Sequence, residues 1–134
     1  MAELTLTNAV LKDGSIIKIK GNIPQDADRF SINLGSDSQN LAFHFNPRFQ
    51  DNPDGGVIVC NSMSKGSWQA EGVIPVFPFK KGTDTELTVR VKSSMFEVEC
   101  PENVKVEFPD RLHLPSLTYV FVYGNFNVTF FEIH

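Results

Sequence analysis

The sequence has no basic cluster. Its 12 lysines and arginines are outnumbered by 16 aspartates and glutamates, for a net charge of −4 and a pI near 5.3. Lys80–Lys81 is the one adjacent basic pair. A phosphate backbone is held by clustered Lys and Arg, so nucleic acid is excluded as a partner. No segment approaches the ~20 consecutive apolar residues that span a bilayer as a helix, so membrane insertion is not expected. There are only two cysteines, Cys60 and Cys100. The opening MAELTLTNAVLKDG has no basic region followed by an apolar run, so it does not read as a secretory signal. The two cysteines are therefore read as free thiols in a reducing compartment rather than a bridge. His113 and His134 have no partners at metal-ligand spacing and the cysteines lie far apart, so neither a metal nor another cofactor is expected.

A helical repeat is absent too. Period-2 alternation runs through the chain instead, and alternate strand residues point to opposite sheet faces. IIKIKG alternates Ile17 and Ile19 with Lys18 and Lys20. RFSINLG sets Phe30, Ile32 and Leu34 against Ser31 and Asn33, and ELTVRV, MFEVEC and VKVEF repeat the pattern. PSLTYVFV alone is ambiguous. Turn formers in KDG, PQDAD, SDSQN, NPDGG and KKGTD separate the runs. Short alternating runs at this spacing predict an all-β sandwich or barrel, and the 134 residues, with no linker or repeat, read as a single antiparallel β domain over 1–134. In the last run, Phe126, Val128 and Phe130 share one face and Phe131 and Ile133 the other. A strand apolar on both faces needs cover, either from a partner subunit or from a neighbouring loop. Phe131 and Ile133 are accordingly the candidate dimer contacts.

HFNPRF, residues 44–49, puts His44, Asn46 and Arg48 on one strand face. After a turn, VIVCNS returns and brings Asn61 within reach, and KGSWQAEG then supplies Trp68 and Glu71. Donors and acceptors of fixed geometry beside an aromatic ring suit sugar hydroxyls and the C–H face of a pyranose. A glycosidase needs two carboxylates about the scissile bond, and the constellation holds only Glu71. No Ser/His/Asp order or Gly-rich phosphate loop is present either, so a binding protein is expected rather than an enzyme.

HFNPRF, VIVCNS, Trp68 with Glu71, FPF at 77–79, EFPDR at 107–111, INLG at 32–35 and GNF at 124–126 together resemble the galectins, the β-galactoside-binding lectins. The resemblance covers essentially the whole chain. It implies an antiparallel two-sheet β-sandwich, the jelly roll shared with legume lectins. It also implies a prototype single-domain member that dimerises through its terminal strands and crosslinks galactose-bearing glycoproteins or glycolipids. It further implies synthesis in the cytosol and export to the extracellular space without a signal peptide. By resemblance, His44, Asn46 and Arg48 hold the axial 4-hydroxyl of galactose, Asn61 the 6-hydroxyl, and Trp68 stacks on the ring. Glu71 would pair with Arg48 and reach the adjoining sugar.

The sequence departs from the family at that second sugar. Galectins usually read Trp-x-x-Glu-x-Arg, whereas Val73 stands at the arginine position, and Asn52 stands where many close members have a histidine. Both positions are candidate second-sugar contacts. The departures keep a second reading open: a galectin-fold interaction module whose sugar site has drifted. Arg29 and Lys65 are the cations that could replace the missing arginine.

Overall fold

The computed structural model describes residues 2–50 and 55–134. Asn52 lies outside the described residues. Two antiparallel sheets face each other. The first runs β1 (Ala2–Leu6), β11 (Tyr119–Gly124), β3 (Phe30–Asp37), β4 (Asn40–Phe49), β5 (Gly56–Ser64) and β6 (Ser67–Trp68), with β7 (Gly72–Ile74) also paired to β5. The second runs β10 (Lys105–Pro109), β9 (Met95–Glu99), β8 (Thr83–Val91), β2 (Ile16–Ile23) and β12 (Asn127–Ile133). This is the expected two-sheet sandwich. The ambiguous PSLTYVFV resolves as β11, an internal strand between β1 and β3, and AELTL, for which no strand was predicted, forms the edge strand β1.

The alternation explains the core. Phe30, Ile32, Leu34, Phe43 and Phe45 point inward from the first sheet and meet Ile17, Ile19, Leu87, Val89, Phe96 and Val98 from the second. Aromatic contacts bridge the layers: Phe43 stacks on Phe96 at 5.1 Å, and Phe30 on Phe126 at 4.7 Å. Inward burial of one set leaves the other on the outer face of the first sheet, where HFNPRF displays its polar residues.

One expectation is corrected. A register shift between Val128 and Phe130 interrupts the pairing of β12 with β2. Such a bulge inserts a residue and flips the alternation beyond it. Val128, Phe131 and Ile133 therefore all pack against the core, and Phe130 turns outward at 38 % exposure with Lys20 over its ring. Phe131 and Ile133 are inward-facing residues. Phe130 takes the outward place expected of them.

Cys60 and Cys100 are free and buried in the core. Burial pushes each thiol up to about 12. Only the thiolate reacts, so both should be inert while the protein is folded. Native protein is expected to label with a thiol reagent at least about a hundredfold more slowly than protein in denaturant. Rapid labelling of either cysteine under native conditions would contradict this burial.

Candidate functional site

Pro47 is the local key to the site. Register places Phe30 of β3 opposite Pro47 of β4, midway between the Ile32–Phe45 pair and the Phe49 N–H that donates to the Asp28 carbonyl. An ordinary residue at 47 would donate its N–H to the Phe30 carbonyl, and proline has none. The Asn46 side chain fills the vacancy: its Nδ2 donates to the Phe30 carbonyl at 2.8 Å. The amide is thereby oriented with Oδ1 outward, and Oδ1 accepts from Arg48 Nε at 2.8 Å. Arg48 is pinned through Nε, which leaves its terminal nitrogens as donors toward the cleft. Asn-Pro-Arg thus works as one mechanical unit.

His44 is set by a residue that the sequence reading did not single out. Asn33 on β3 donates its Nδ2 to the Phe121 carbonyl at 3.0 Å, and a carbonyl can only accept. Its Oδ1 must then face His44 Nδ1, with which it is hydrogen-bonded. His44 Nδ1 therefore carries the proton, and Nε2 presents a lone pair. Burial, with the Arg48 guanidinium acting in the same direction, pushes the imidazole down to about 4, so it is neutral at pH 7. An acceptor at His44 lies beside donors at Arg48. A single hydroxyl can give its proton to one and accept from the other. The visible signal for Asn33 was its place beside Ser31 on the polar face of β3.

Asn61 lies across from His44 in the β4–β5 register. Its Nδ2 donates to the Gln69 carbonyl at 3.0 Å and its Oδ1 accepts from the Ser62 N–H, so it ties β5 to the segment after Trp68. Trp68 leans on His44 with ring centroids 4.5 Å apart and keeps half its surface exposed. Arg111, stacked over Phe108 at 4.6 Å, donates to the Ala70 carbonyl at 2.6 Å and braces the same segment. Nothing near Ala70 in the sequence announces that contact.

His44, Asn46, Arg48, Asn61, Trp68 and Glu71 line one cleft of about 490 Å³, with Arg29, Ser31, Val59 and Gln69 completing it. The expected Arg48–Glu71 pair is not formed: among the described residues no ion pair joins them, and the described partner of Arg48 is Asn46. Glu71 sits on an exposed stretch between β6 and β7, where Arg111 fixes the neighbouring backbone and nothing among the described residues holds the carboxylate. Val73 faces Val59 across the β5–β7 pairing, is 55 % exposed and is not among the lining residues. Of the two candidate replacements for the missing arginine, Arg29 lines the cleft beside Arg48, whereas Lys65 sits on the β5–β6 turn outside it.

The chain resembles known proteins over nearly its full length. The sequence model described as galactoside-binding lectin matches residues 2–133. A 16 kDa beta-galactoside-binding lectin of Gallus gallus is 39 % identical over 125 residues, which cover 93 % of this chain and 92 % of the relative. The structure of CG-16, a homodimeric agglutinin from chicken liver, superposes with a TM-score of 0.91 at 37 % identity, covering 99 % of this chain and all of the other. A toad ovary galectin in complex with thio-digalactose superposes with a TM-score of 0.91 at 31 % identity, covering 100 % of this chain and 99 % of that one.

Proposed function

This chain belongs to the galactoside-binding lectin family, and from that premise we propose that its cleft binds a terminal or internal β-galactose of a glycan. Membership makes it a carbohydrate-binding protein rather than an enzyme. The observation that carries the reading is the pinned pair at its centre: the neutral acceptor of His44 and the oriented donors of Arg48. A hydroxyl standing axially above the sugar ring can meet both at once. An equatorial epimer would leave both partners desolvated and unpaired, which is how such a site rejects it. Trp68 offers an exposed ring for the C–H face, and Asn61 a remaining N–H for a primary hydroxyl.

The edge strands β1 and β12 lie beside one another across the sandwich, with Phe130 turned outward. We place a homodimer contact there, as the homodimeric relative encourages, and two sites per dimer would crosslink glycoproteins or glycolipids. Crosslinking multiplies a weak site affinity through effective concentration. Sedimentation of wild type against Phe130→Glu tests the contact: a monomeric variant is expected, and an unchanged dimer would move the interface elsewhere.

The second-sugar side is the weaker half of the site. Val73 supplies no charge and Glu71 no fixed geometry, so lactose is expected to bind at millimolar strength or somewhat better. Val73→Arg should restore a cation beside Glu71 and strengthen binding by about 1 kcal/mol, a modest gain because the site is open to water. Calorimetric titration of both proteins with lactose decides. The alternative, an interaction module with a drifted sugar site, draws on the apolar exposed Val73 and on Glu71, which has no ion-pair partner among the described residues. It gains if neither protein releases heat.

A further inference from the structure

Trp68 supplies the ring on which a sugar would lie, yet little around it fixes that ring. It is half exposed, and its aromatic contact is His44. It stands on β6, a strand of two residues, whose ladder to β5 consists of Met63–Trp68 and Ser64–Ser67. A ladder that short does not hold its own place. The turn that makes it is unfavourable as well. Lys65 at φ 51 and Gly66 at φ 81 are both left-handed, as the central residues of a type I′ turn must be. Asn, Asp or Gly suits the first of those positions, and lysine does not.

The turn is held from outside. The Lys65 N–H donates to Asn40 Oδ1 at 3.1 Å, and the Gly66 N–H to the Gln39 carbonyl at 2.9 Å. Both acceptors belong to the turn between β3 and β4, with Asn40 25 residues before Lys65 in the chain. Within that turn the Asn40 amide is itself oriented. Its Nδ2 donates to the Asp37 carboxylate, at 3.1 and 3.3 Å from the two oxygens, and a carboxylate only accepts. Oδ1 must therefore face Lys65, since a flipped amide would set its NH2 group against another N–H. Asp37 also accepts from the Gln39 N–H at 2.8 Å. That bond, followed by the Asn40 amide, holds its carboxyl below the usual carboxylate range. A run of hydrogen bonds thus leads from Asp37 through Asn40 to Lys65, three residues before Trp68. Beyond Trp68, Asn61 and Arg111 hold Gln69 and Ala70. The ring keeps its place because both flanks are fixed, although Asn40 is not among the residues that line the cleft.

We propose that Asn40 is a positioning residue for sugar binding, acting through the Lys65–Gly66 turn to hold the Trp68 ring where the sugar face meets it. The proposal rests on the galactose reading above and deepens it. Trp68 is the only tryptophan in the chain, so its fluorescence and the quenching of that fluorescence by acrylamide report on this ring alone. Asn40→Ala is expected to weaken lactose binding about fivefold, the contribution of one exposed hydrogen bond, and to raise the quenching of Trp68 in folded protein. Adding Lys65→Asn should restore both, because Asn-Gly forms the same turn unaided. A role in stability alone would lower the melting temperature and leave the quenching of native protein unchanged. Asp37→Ala, which frees the Asn40 amide to rotate, should produce the same two changes at smaller size and serves if Asn40→Ala does not fold. An unchanged lactose affinity, unchanged quenching, or a loss that Lys65→Asn does not repair overturns the positioning role. Wild type that binds no lactose overturns the galactose reading, and the quenching comparison still decides whether Asn40 holds the ring.

Discussion

Replacing Arg48 with lysine is expected to weaken lactose binding at least about thirtyfold, roughly 2 kcal/mol, while leaving the fold intact. The reason is geometric rather than electrostatic. Arg48 is held by Nε on Asn46 Oδ1, and Asn46 is held by the Phe30 carbonyl that Pro47 leaves without a backbone donor. Lysine keeps the charge, but it has no Nε to be held by and no terminal fork to aim. Its ammonium would sample many positions over an open cleft. The change should appear in affinity and not in melting temperature, because Arg48 is only partly buried and contributes little to the core. Binding within threefold of wild type would show that charge alone suffices and would remove the pinned fork from the account.

The second large effect is a dependence of stability on pH traceable to His44. The folded imidazole titrates near 4, whereas an unfolded histidine titrates near 6.5. Above pH 6.5 neither state is protonated and stability is at its plateau. As pH falls from 6.5 toward 4, the unfolded chain takes up a proton that the folded one refuses, so stability is lost across that window. The loss should reach about 2 kcal/mol, reduced from the full linkage value because the ring is partly open to cleft water. Carboxylates such as Glu97, held below the usual range by Lys92, also lose stability toward the acid end. The comparison is therefore with His44→Gln, which should melt with a visibly shallower slope between pH 6.5 and 4. Parallel slopes would mean that His44 titrates normally. Lactose affinity of the wild type should stay nearly constant from pH 7.5 to 5.5, because the Nε2 lone pair persists throughout.

Much of this was legible in order of residues alone. HFNPRF aligned His44, Asn46 and Arg48 because strand alternation is local geometry, and the turn before VIVCNS brought Asn61 alongside. The all-β class, sandwich or barrel, followed from the same alternation repeated through the chain, and the two-sheet form from the resemblance to the galectins. Readings that depended on counting along β12 failed at one residue: the bulge after Val128 exchanged the roles of Phe130 and Phe131, and alternation carries no mark of a bulge. The Arg48–Glu71 pair failed for a different reason. Two opposite charges at suitable spacing do not pair when one stands on a segment with no sheet partner to fix it.

Residue types and their local periods determined the all-β class and the polar stripe, because these follow from each side chain and its near neighbours. Tertiary structure alone decided which atoms of those side chains remain free. Asn125 accepts from the N–H groups of Asp28 and Arg29, and Gly124 turns at φ +108 where a Cβ would strike the Arg29 carbonyl at 2.6 Å, so the end of β11 sets the start of β3. That start holds the Phe30 carbonyl for Asn46, while Asn33 chooses the protonated nitrogen of His44 and Arg111 anchors the chain beside Glu71. Apart from the close approach at Gly124, each of these is a hydrogen bond between different strands or loops, from 11 to 97 residues apart in the chain. Its existence depends on a donor and an acceptor meeting to within a fraction of an ångström, and only the packed sheets impose that.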